Sequence, residues 1–195
     1  MRPLAAPILI LILAALAIPP APSAAAPSLD AVRRLELSRL ERLRGPALDP
    51  AALRGEAVLV SFFASWCPPC EREFRVLKKL DAAFHGRGLR IVAVNLFEGW
   101  GGRSDESKLG AFLDRHDPSF TVLRGEGRSA RLFGGVVRLP TLWLFAPGGR
   151  ASLHFVHAQG AAKAYLTLEE LKAAVEEALS APAPAPVPAP APAAE

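Results

Sequence analysis

The stretch that decides the fold runs from Ala57 to Leu80 and reads AVLVSFFASWCPPCEREFRVLKKL. Apart from Ser61, its first seven residues are apolar, and many are β-branched or aromatic, which is typical of a strand buried on both faces. The following segment carries apolar residues at helical spacing, at Phe74, Leu77, Leu80, Ala83 and Phe84. This spacing predicts a helix with one buried stripe, so we expect a strand that leads directly into a helix.

The only two cysteines of the chain, Cys67 and Cys70, lie at the junction of this strand and this helix. Unpaired backbone N–H groups and the helix dipole stabilise negative charge at the start of a helix. Because the thiolate is the reactive form of cysteine, Cys67 is a candidate nucleophile. Two residues separate the cysteines, which leaves Cys70 one helical turn away and close enough to form a disulfide.

Two cysteines at this spacing are also compatible with half of a zinc site or with an inert bridge. A zinc site needs two further ligands, and the chain has no second cysteine pair. His154 and His157 lie in a predicted strand, where their odd separation places them on opposite faces. An inert disulfide would close a very short loop and would therefore add little to the stability of the fold. We therefore favour a redox-active pair, and we expect no metal and no organic cofactor.

Composition indicates one domain with a substantial core, because the chain has 195 residues of which 51% are hydrophobic. The net charge of +4 arises from lysines and arginines that are scattered without interleaved aromatic residues. This pattern gives little support to nucleic-acid binding. We expect a monomer that does not bind nucleic acid.

Residues 1–26 have the features of an export signal. Arg2 precedes an apolar stretch from Leu4 to Ile18, and small residues up to Ala26 offer a cleavage site. The apolar stretch is short for a membrane span, but an uncleaved N-terminal membrane anchor is the alternative. In both cases we expect the rest of the chain outside the cytoplasm, in the periplasm or on the outer face of the inner membrane, where disulfide chemistry is common.

Two segments flank the predicted domain of residues 46–180. The N-terminal segment, residues 27–45, is predicted to hold an amphipathic helix over 28–44 with Ser28 as its cap and with Leu29, Val32, Leu40 and Leu43 on one side. Its arginines either form a solvated face or contact an anionic membrane. Residues 181–195 nearly alternate alanine and proline, which predicts an extended, disordered tail. The tail is either a spacer or a low-complexity end.

Apolar patterns predict the other elements of the domain. Four further strands are expected, over 89–96, 120–123, 142–146 and 152–157. Three further helices are expected, over 104–116, over 127–133 and from a capping box at Thr167 onward. The cysteine helix lies between two predicted strands, an order that favours a right-handed parallel crossover.

This order of elements resembles the thioredoxin fold, an α/β fold with a central mixed β-sheet flanked by helices. The segments WCPPCEREF, VNLFEG and RLPTLWLFAPGG are similar to those of the TlpA/ResA-like thiol-disulfide oxidoreductases, which are related to the AhpC/TSA and Redoxin proteins. The resemblance covers about residues 46–180. It implies that Cys67 attacks a substrate disulfide and that Cys70 resolves the mixed disulfide. It also implies a cis bond between Leu139 and Pro140 that faces the cysteines, where the residues alone favour an ordinary proline at a strand start.

The resemblance also assigns a catalytic role to Glu98, which matches a carboxylate near the active site of this group. A buried carboxylate there can accept or return the proton of Cys70, whereas the alternative is an exposed loop residue. Cytoplasmic thioredoxins carry a buried aspartate at the position of Ser61, so proton handling is expected to shift towards Glu98. The glycine-rich loop around Trp100 either shapes partner choice or is a flexible turn. The predicted substrate-binding residues are Trp66, Pro68, Pro69, Leu139, Pro140 and Thr141.

The resemblance implies an extracytoplasmic enzyme that reduces disulfides of partner proteins and is recharged by a membrane electron donor. Members of the group serve cytochrome c maturation, copper-site assembly or general thiol reduction, and the sequence does not select among these. It does not fix the direction of electron flow either, since direction depends on reduction potential. The alternatives are a disulfide-forming oxidant, a copper-binding assembly chaperone that uses the cysteine pair, and a non-catalytic docking module.

Overall fold

The computed structural model describes residues 28–100 and 106–181 of the chain. The predicted signal or anchor lies outside the described residues, as does the Ala/Pro tail beyond Ala181. Within the described ranges, no helix is both long and apolar enough to cross a membrane.

Within the described residues, six strands form one mixed sheet in the order β1-β4-β3-β2-β5-β6. The strands are β1 Arg42–Arg44, β2 Ala57–Phe63, β3 Leu89–Asn95, β4 Thr121–Arg124, β5 Thr141–Phe145 and β6 Ala151–Val156. Strand β3 pairs in parallel with β2 and with β4, and the other neighbours are antiparallel. The predicted α/β fold with a central mixed sheet is confirmed.

The described part of the chain contains five α-helices. They are α1 Ala31–Arg39, α2 Pro68–Phe84, α3 Glu106–His116, α4 Gly127–Leu132 and α5 Leu168–Ser180, and a short 3-10 helix spans Ala52–Arg54. The capping box at Thr167 is present, with both reciprocal hydrogen bonds to Glu170. The predicted strands and helices of residues 46–180 are present with ends that differ by one residue or less, except that residues 104 and 105 lie outside the described ranges.

Strand β2 is buried along its whole length and separates two apolar cores. Successive side chains of a strand point to opposite faces. Leu59 and Phe63 therefore pack into a core formed with α2, α3 and α5. Val60 and Phe62 pack into a second core with residues contributed by α1 and α4. The sheet is thus covered by helices on both faces, as a strand of nearly continuous apolar residues requires.

The prediction of one helix over 28–44 is wrong in its cap and in its second half. Helix α1 is capped by Asp30, whose carboxylate accepts a hydrogen bond from the backbone N–H of Arg33 at 2.9 Å, and it ends at Arg39. Val32 is exposed whereas Leu29 is buried, so these two residues do not share one side of a helix as predicted. Residues Arg42–Arg44 form β1, which pairs antiparallel with β4. The backbone groups at the edge of β4 give this segment long-range hydrogen bonds, and these outweigh its local helical pattern.

A substitution at Gly45, which follows β1, tests how closely this edge strand packs against the segment before β4. The φ of Gly45 is +77°, and a Cβ added there would lie 2.1 Å from the carbonyl oxygen of Phe120. Gly86 has a φ of +68° with nothing within 4 Å of such a Cβ, so it is a matched control for the backbone cost alone. We expect Gly86→Ala to lower the free energy of unfolding by about 1–2 kcal/mol. Gly45→Ala should lower it by about 1–3 kcal/mol more, because the clash displaces β1.

Urea denaturation of the two variants and the wild type measures this difference. Equal losses of stability in Gly45→Ala and Gly86→Ala would contradict the close approach of β1 to the segment before β4.

Candidate active site

The end of β2 and the start of α2 position the two cysteines. Cys67 is the N-cap of α2, with φ −94° and ψ 108°, and its Sγ accepts a hydrogen bond from the backbone N–H of Cys70 at 3.3 Å. Pro68 and Pro69 occupy the first helical positions, where a missing N–H costs little. The cysteines are joined by a disulfide, with their Cα atoms 5.3 Å apart. The placement at a strand-to-helix junction that we predicted from the sequence is therefore present.

Cys67 contributes to the wall of an open, largely apolar cavity of about 640 Å³. The lining residues are Trp66, Cys67, Phe97, Trp100, Val137, Arg138, Leu139, His157 and Gln159. Cys67 is 4% exposed, whereas Cys70 has no exposed surface. Cys67 is therefore the cysteine that a partner molecule can reach.

The segment before β5 forms another part of the cavity wall. The Leu139–Pro140 peptide bond is cis, as the resemblance implied. Leu139 lines the cavity, and its carbonyl oxygen lies 3.2 Å from Nδ1 of His157. Pro140 and Thr141 are buried, and the Thr141 hydroxyl donates to the carbonyl of Arg138 at 2.8 Å.

The predicted substrate-binding residues therefore fall into two groups. Trp66 and Leu139 line the cavity. Pro68 is exposed and Pro69 is half-buried on the first turn of α2, and Pro140 and Thr141 lie behind the surface. Their contact with a substrate stays a prediction for all six residues.

Glu98 is buried in the loop that follows β3. Its carboxylate accepts hydrogen bonds from the backbone N–H of Ser65 at 3.1 Å and from the side-chain amide of Asn95 at 2.7 Å. The Ser65 hydroxyl donates to it as well. The carboxylate is thus tied to the segment just before the cysteines, and its role in proton transfer stays a prediction.

A second buried carboxylate, Glu73, was not predicted from the sequence. It has no exposed surface and lies one turn after Cys70 on the buried side of α2. Residues three apart on a helix have Cβ atoms about 5–6 Å apart, so Glu73 and Cys70 are neighbours on this face of α2. The Ser61 hydroxyl donates to Oε1 of Glu73, whereas Oε2 has no hydrogen-bond partner among the described residues. Burial raises the pKa of Glu73 from 4.5 to about 7, and the hydrogen bond from Ser61 opposes this shift.

The sequence does contain a signal for Glu73. Helical spacing places it on the same face as Cys70, Phe74 and Leu77, where an unpaired charge is rarely buried. Ser61 thus donates to a buried carboxylate from the facing helix, and the expectation that proton handling shifts towards Glu98 stays a prediction.

The loop after β3 is fastened to the cysteine segment by its backbone. The carbonyl oxygen of Phe97 accepts hydrogen bonds from Nε1 of Trp66 and from the backbone N–H of Trp100, each at 3.0 Å. The rings of Trp66 and Trp100 stack with centroids 5.5 Å apart. Phe97 has a φ of 60°, in the left-handed region that favours glycine. Such a backbone persists only where the surroundings determine it, so this loop is a built part of the site.

No group of three or more His, Cys, Asp or Glu side chains is arranged to hold a metal ion in residues 28–100 and 106–181. His154 stacks on Trp143 with ring centroids 3.5 Å apart, and burial lowers its pKa. His157 lies instead in the wall of the cavity. The two histidines considered as ligands from the sequence are thus in different surroundings.

Comparison with known proteins agrees with this geometry. The family model described as Redoxin matches residues 21–144. The thiol-disulfide oxidoreductase ResA of Halalkalibacterium halodurans is 33% identical over 110 residues, which cover 56% of this chain and 59% of that protein. The matched region is thus less than two thirds of the length of that relative. The predicted resemblance to the ResA-like group is confirmed.

Solved structures support the thioredoxin-like fold. A Chlorobium tepidum protein assigned as thiol:disulfide interchange protein DsbE has a TM-score of 0.55 and 27% identity, covering 72% of this chain and 94% of that one. A secreted Mycobacterium tuberculosis disulfide oxidoreductase homologous to DsbE has a TM-score of 0.58 and 21% identity, covering 76% of this chain and 99% of that one. Since the matching family model covers more than half of its residues, including both cysteines, the chain belongs to the Redoxin family.

Proposed function

We propose that this protein is a thiol-disulfide oxidoreductase that reduces disulfides of partner proteins outside the cytoplasm. The observation that carries the proposal is the Cys67–Cys70 disulfide at the start of α2, with Cys67 in the wall of an open cavity. The name of its ResA relative supports the reaction class. The location rests on the N-terminal sequence and agrees with the secreted protein of similar fold.

The first step is an attack by the Cys67 thiolate on a sulfur atom of the partner disulfide. The new bond joins Cys67 to the partner, and the other partner sulfur leaves as a thiolate that takes up a proton. The N-terminal position of Cys67 on α2 assists this step, because the helix dipole and the backbone N–H of Cys70, which donates to Sγ of Cys67, favour the thiolate over the thiol.

The second step releases the reduced partner. Cys70 loses its thiol proton and attacks Sγ of Cys67, which restores the disulfide of this protein and transfers two electrons to the partner. We propose that Oε2 of Glu73 accepts the Cys70 proton, because this buried oxygen has no hydrogen-bond partner among the described residues and Glu73 neighbours Cys70 on the same face of α2. With a pKa of about 7, Glu73 is able to take up and release a proton near neutral pH.

Glu98 is the second proposed proton carrier. It contacts Ser65, which precedes Cys67 by two residues, whereas Glu73 follows Cys70 by three residues. The oxidised cysteine pair must be reduced again for turnover, and we propose a membrane electron donor for that step. Cytochrome c maturation, copper-site assembly and general thiol reduction are the candidate pathways.

The direction of electron flow is tested by the equilibrium reduction potential of the cysteine pair. We expect a value near that of thioredoxin, about −270 mV, and far from that of the oxidant DsbA, about −120 mV. The measurement is equilibration with thiol redox buffers followed by alkylation of free thiols. A value near the second potential would assign the protein as an oxidant.

Cys67→Ser should abolish exchange, and Cys70→Ser should accumulate mixed disulfides that a non-reducing gel detects.

Glu73→Gln tests the proposed proton acceptor. The resolving step should become faster in the wild type as pH rises through about 7, because ionised Glu73 accepts the Cys70 proton. In Glu73→Gln the step should be slower by about tenfold or more above that pH and should lack this rise. Stopped-flow measurement of mixed-disulfide decay from pH 5 to 9 checks both points. The exposed carboxylate of α5, in Glu169→Gln, is the control, and an unchanged pH profile in Glu73→Gln would remove Glu73 from the mechanism.

The same carboxylate should make stability depend on pH. Between about pH 4.5 and 7 the unfolded chain ionises Glu73 while the folded protein keeps its proton. The folded state then binds more protons, so the free energy of unfolding falls as pH rises through this window and levels off above it. Glu73→Gln should remove a fall on the order of 3 kcal/mol. Urea denaturation of the oxidised proteins at several pH values measures it, and parallel curves for wild type and variant would contradict the burial of an ionisable group.

A further inference from the structure

Exposed apolar side chains are concentrated around Cys67. Six large apolar side chains are exposed among the described residues, and three of them line the cavity beside this cysteine. Phe97 is 36% exposed, Trp100 is 63% exposed and Val137 is 81% exposed. Contiguous apolar surface of this kind marks a binding site, whereas single exposed apolar residues are ordinary.

The aromatic wall of this cavity is held in place by specific contacts. Trp100 stacks on Trp66, and the Phe97 carbonyl receives a hydrogen bond from each of the two tryptophans. The buried carboxylate of Glu98 fastens the same loop to Ser65. These contacts favour a role in partner choice over the alternative of a flexible turn, because a preformed wall loses little entropy when a ligand binds.

We propose that the cavity binds a large apolar side chain, above all an aromatic one, next to the reacting cysteine of the substrate polypeptide, and that Trp100 sets this preference. The inference rests on the proposed function, since it names the substrate class of the same site. A volume of about 640 Å³ accommodates a side chain together with its backbone. Aromatic rings gain from stacking on tryptophan beyond the burial of their area.

Because Cys67 itself lines the cavity, we take the occupant to be part of a polypeptide that bears a disulfide. A polypeptide whose disulfide meets this cysteine can place a neighbouring side chain in the cavity. The backbone N–H of Leu139, in the same wall, makes no hydrogen bond to another described residue, so it is available to an extended peptide backbone. An extended polypeptide that bears a disulfide can use this donor, the aromatic wall and the Cys67 sulfur together.

Two synthetic peptides test the proposal. Each carries one cysteine as a mixed disulfide with 2-mercaptoethanol, and the cysteine is flanked on both sides by Phe in one peptide and by Ser in the other. Reduced protein attacks the peptide sulfur through Cys67, and 2-mercaptoethanol leaves as a thiol. Cys70 then attacks Cys67, so the protein dithiol becomes a disulfide and the peptide leaves as a thiol. Single-turnover rates under equal conditions give kcat/KM for each peptide.

The wild type should prefer the Phe peptide by about tenfold or more, the scale of discrimination that an apolar pocket achieves. In Trp100→Ala this ratio should fall to about threefold or less, and Trp100→Phe should restore part of it. Val137→Ala should lower the ratio as well. Val32→Ala is the matched control, because Val32 is 51% exposed on α1 outside the cavity, and it should keep the wild-type ratio.

The outcomes separate this inference from the proposed function. Equal rates for the two peptides in the wild type, or a full preference retained in both Trp100→Ala and Val137→Ala, would overturn the assignment of the cavity while leaving the oxidoreductase in place. Failure to reduce either peptide and also the small substrate hydroxyethyl disulfide would overturn the proposed function itself. Circular dichroism of each variant verifies that the fold is unchanged.

Discussion

Burial of β2 between two helical layers is the constraint on which the geometry of the site depends. Phe63, at the end of this strand, packs against Phe74 of α2 with ring centroids 4.5 Å apart and against Phe112 of α3 with centroids 5.5 Å apart. These contacts fix where α2 begins relative to the sheet. Cys67 is the cap of that helix, so its position and the direction of the helix dipole at its sulfur follow from core packing. A site held by rigid elements in this way keeps its reacting atoms in place without the help of loops.

The same packing explains where a carboxylate is placed inside the protein. Ser61 is on the face of β2 that α2 covers, and the helix presents Glu73 to it. Strand β2 and helix α2 both contribute side chains to the interface between them. A buried carboxylate near the cysteines can therefore come from either of them. A serine in the strand leaves room for the longer side chain from the helix and supplies one hydrogen bond. The second oxygen has no hydrogen-bond partner among the described residues, and burial raises the pKa of Glu73 to about 7, so the group titrates near neutral pH.

Most of the fold was predictable because its main elements carry strong patterns. The apolar run of β2, the stripe of α2 and the capping box at Thr167 each combine several residues that agree. Strand β1 was missed because three residues at a sheet edge contain no pattern of their own, and their pairing with β4 is a long-range effect. Glu73 was missed because periodicity treats a charged residue as exposed. The cavity wall formed by Val137 and His157 was missed because these residues come from separate loops that only the tertiary structure brings together.

The proposed chemistry and the proposed partner recognition draw largely on different parts of the chain. The cysteines and Glu73 lie at the start of α2, which is fixed by the core, whereas most of the aromatic and apolar wall comes from the loops after β3, before β5 and after β6, and Trp66 comes from the segment just before Cys67. Loops tolerate substitution better than packed helices, so the wall can change its preference while the reacting atoms stay in place. Glu98 connects the two parts, because its carboxylate joins the loop that carries Trp100 to the Ser65 backbone just before the cysteines. A substitution at Glu98 therefore removes contacts to the segment just before Cys67, whereas one at Trp100 removes the stacking contact with Trp66.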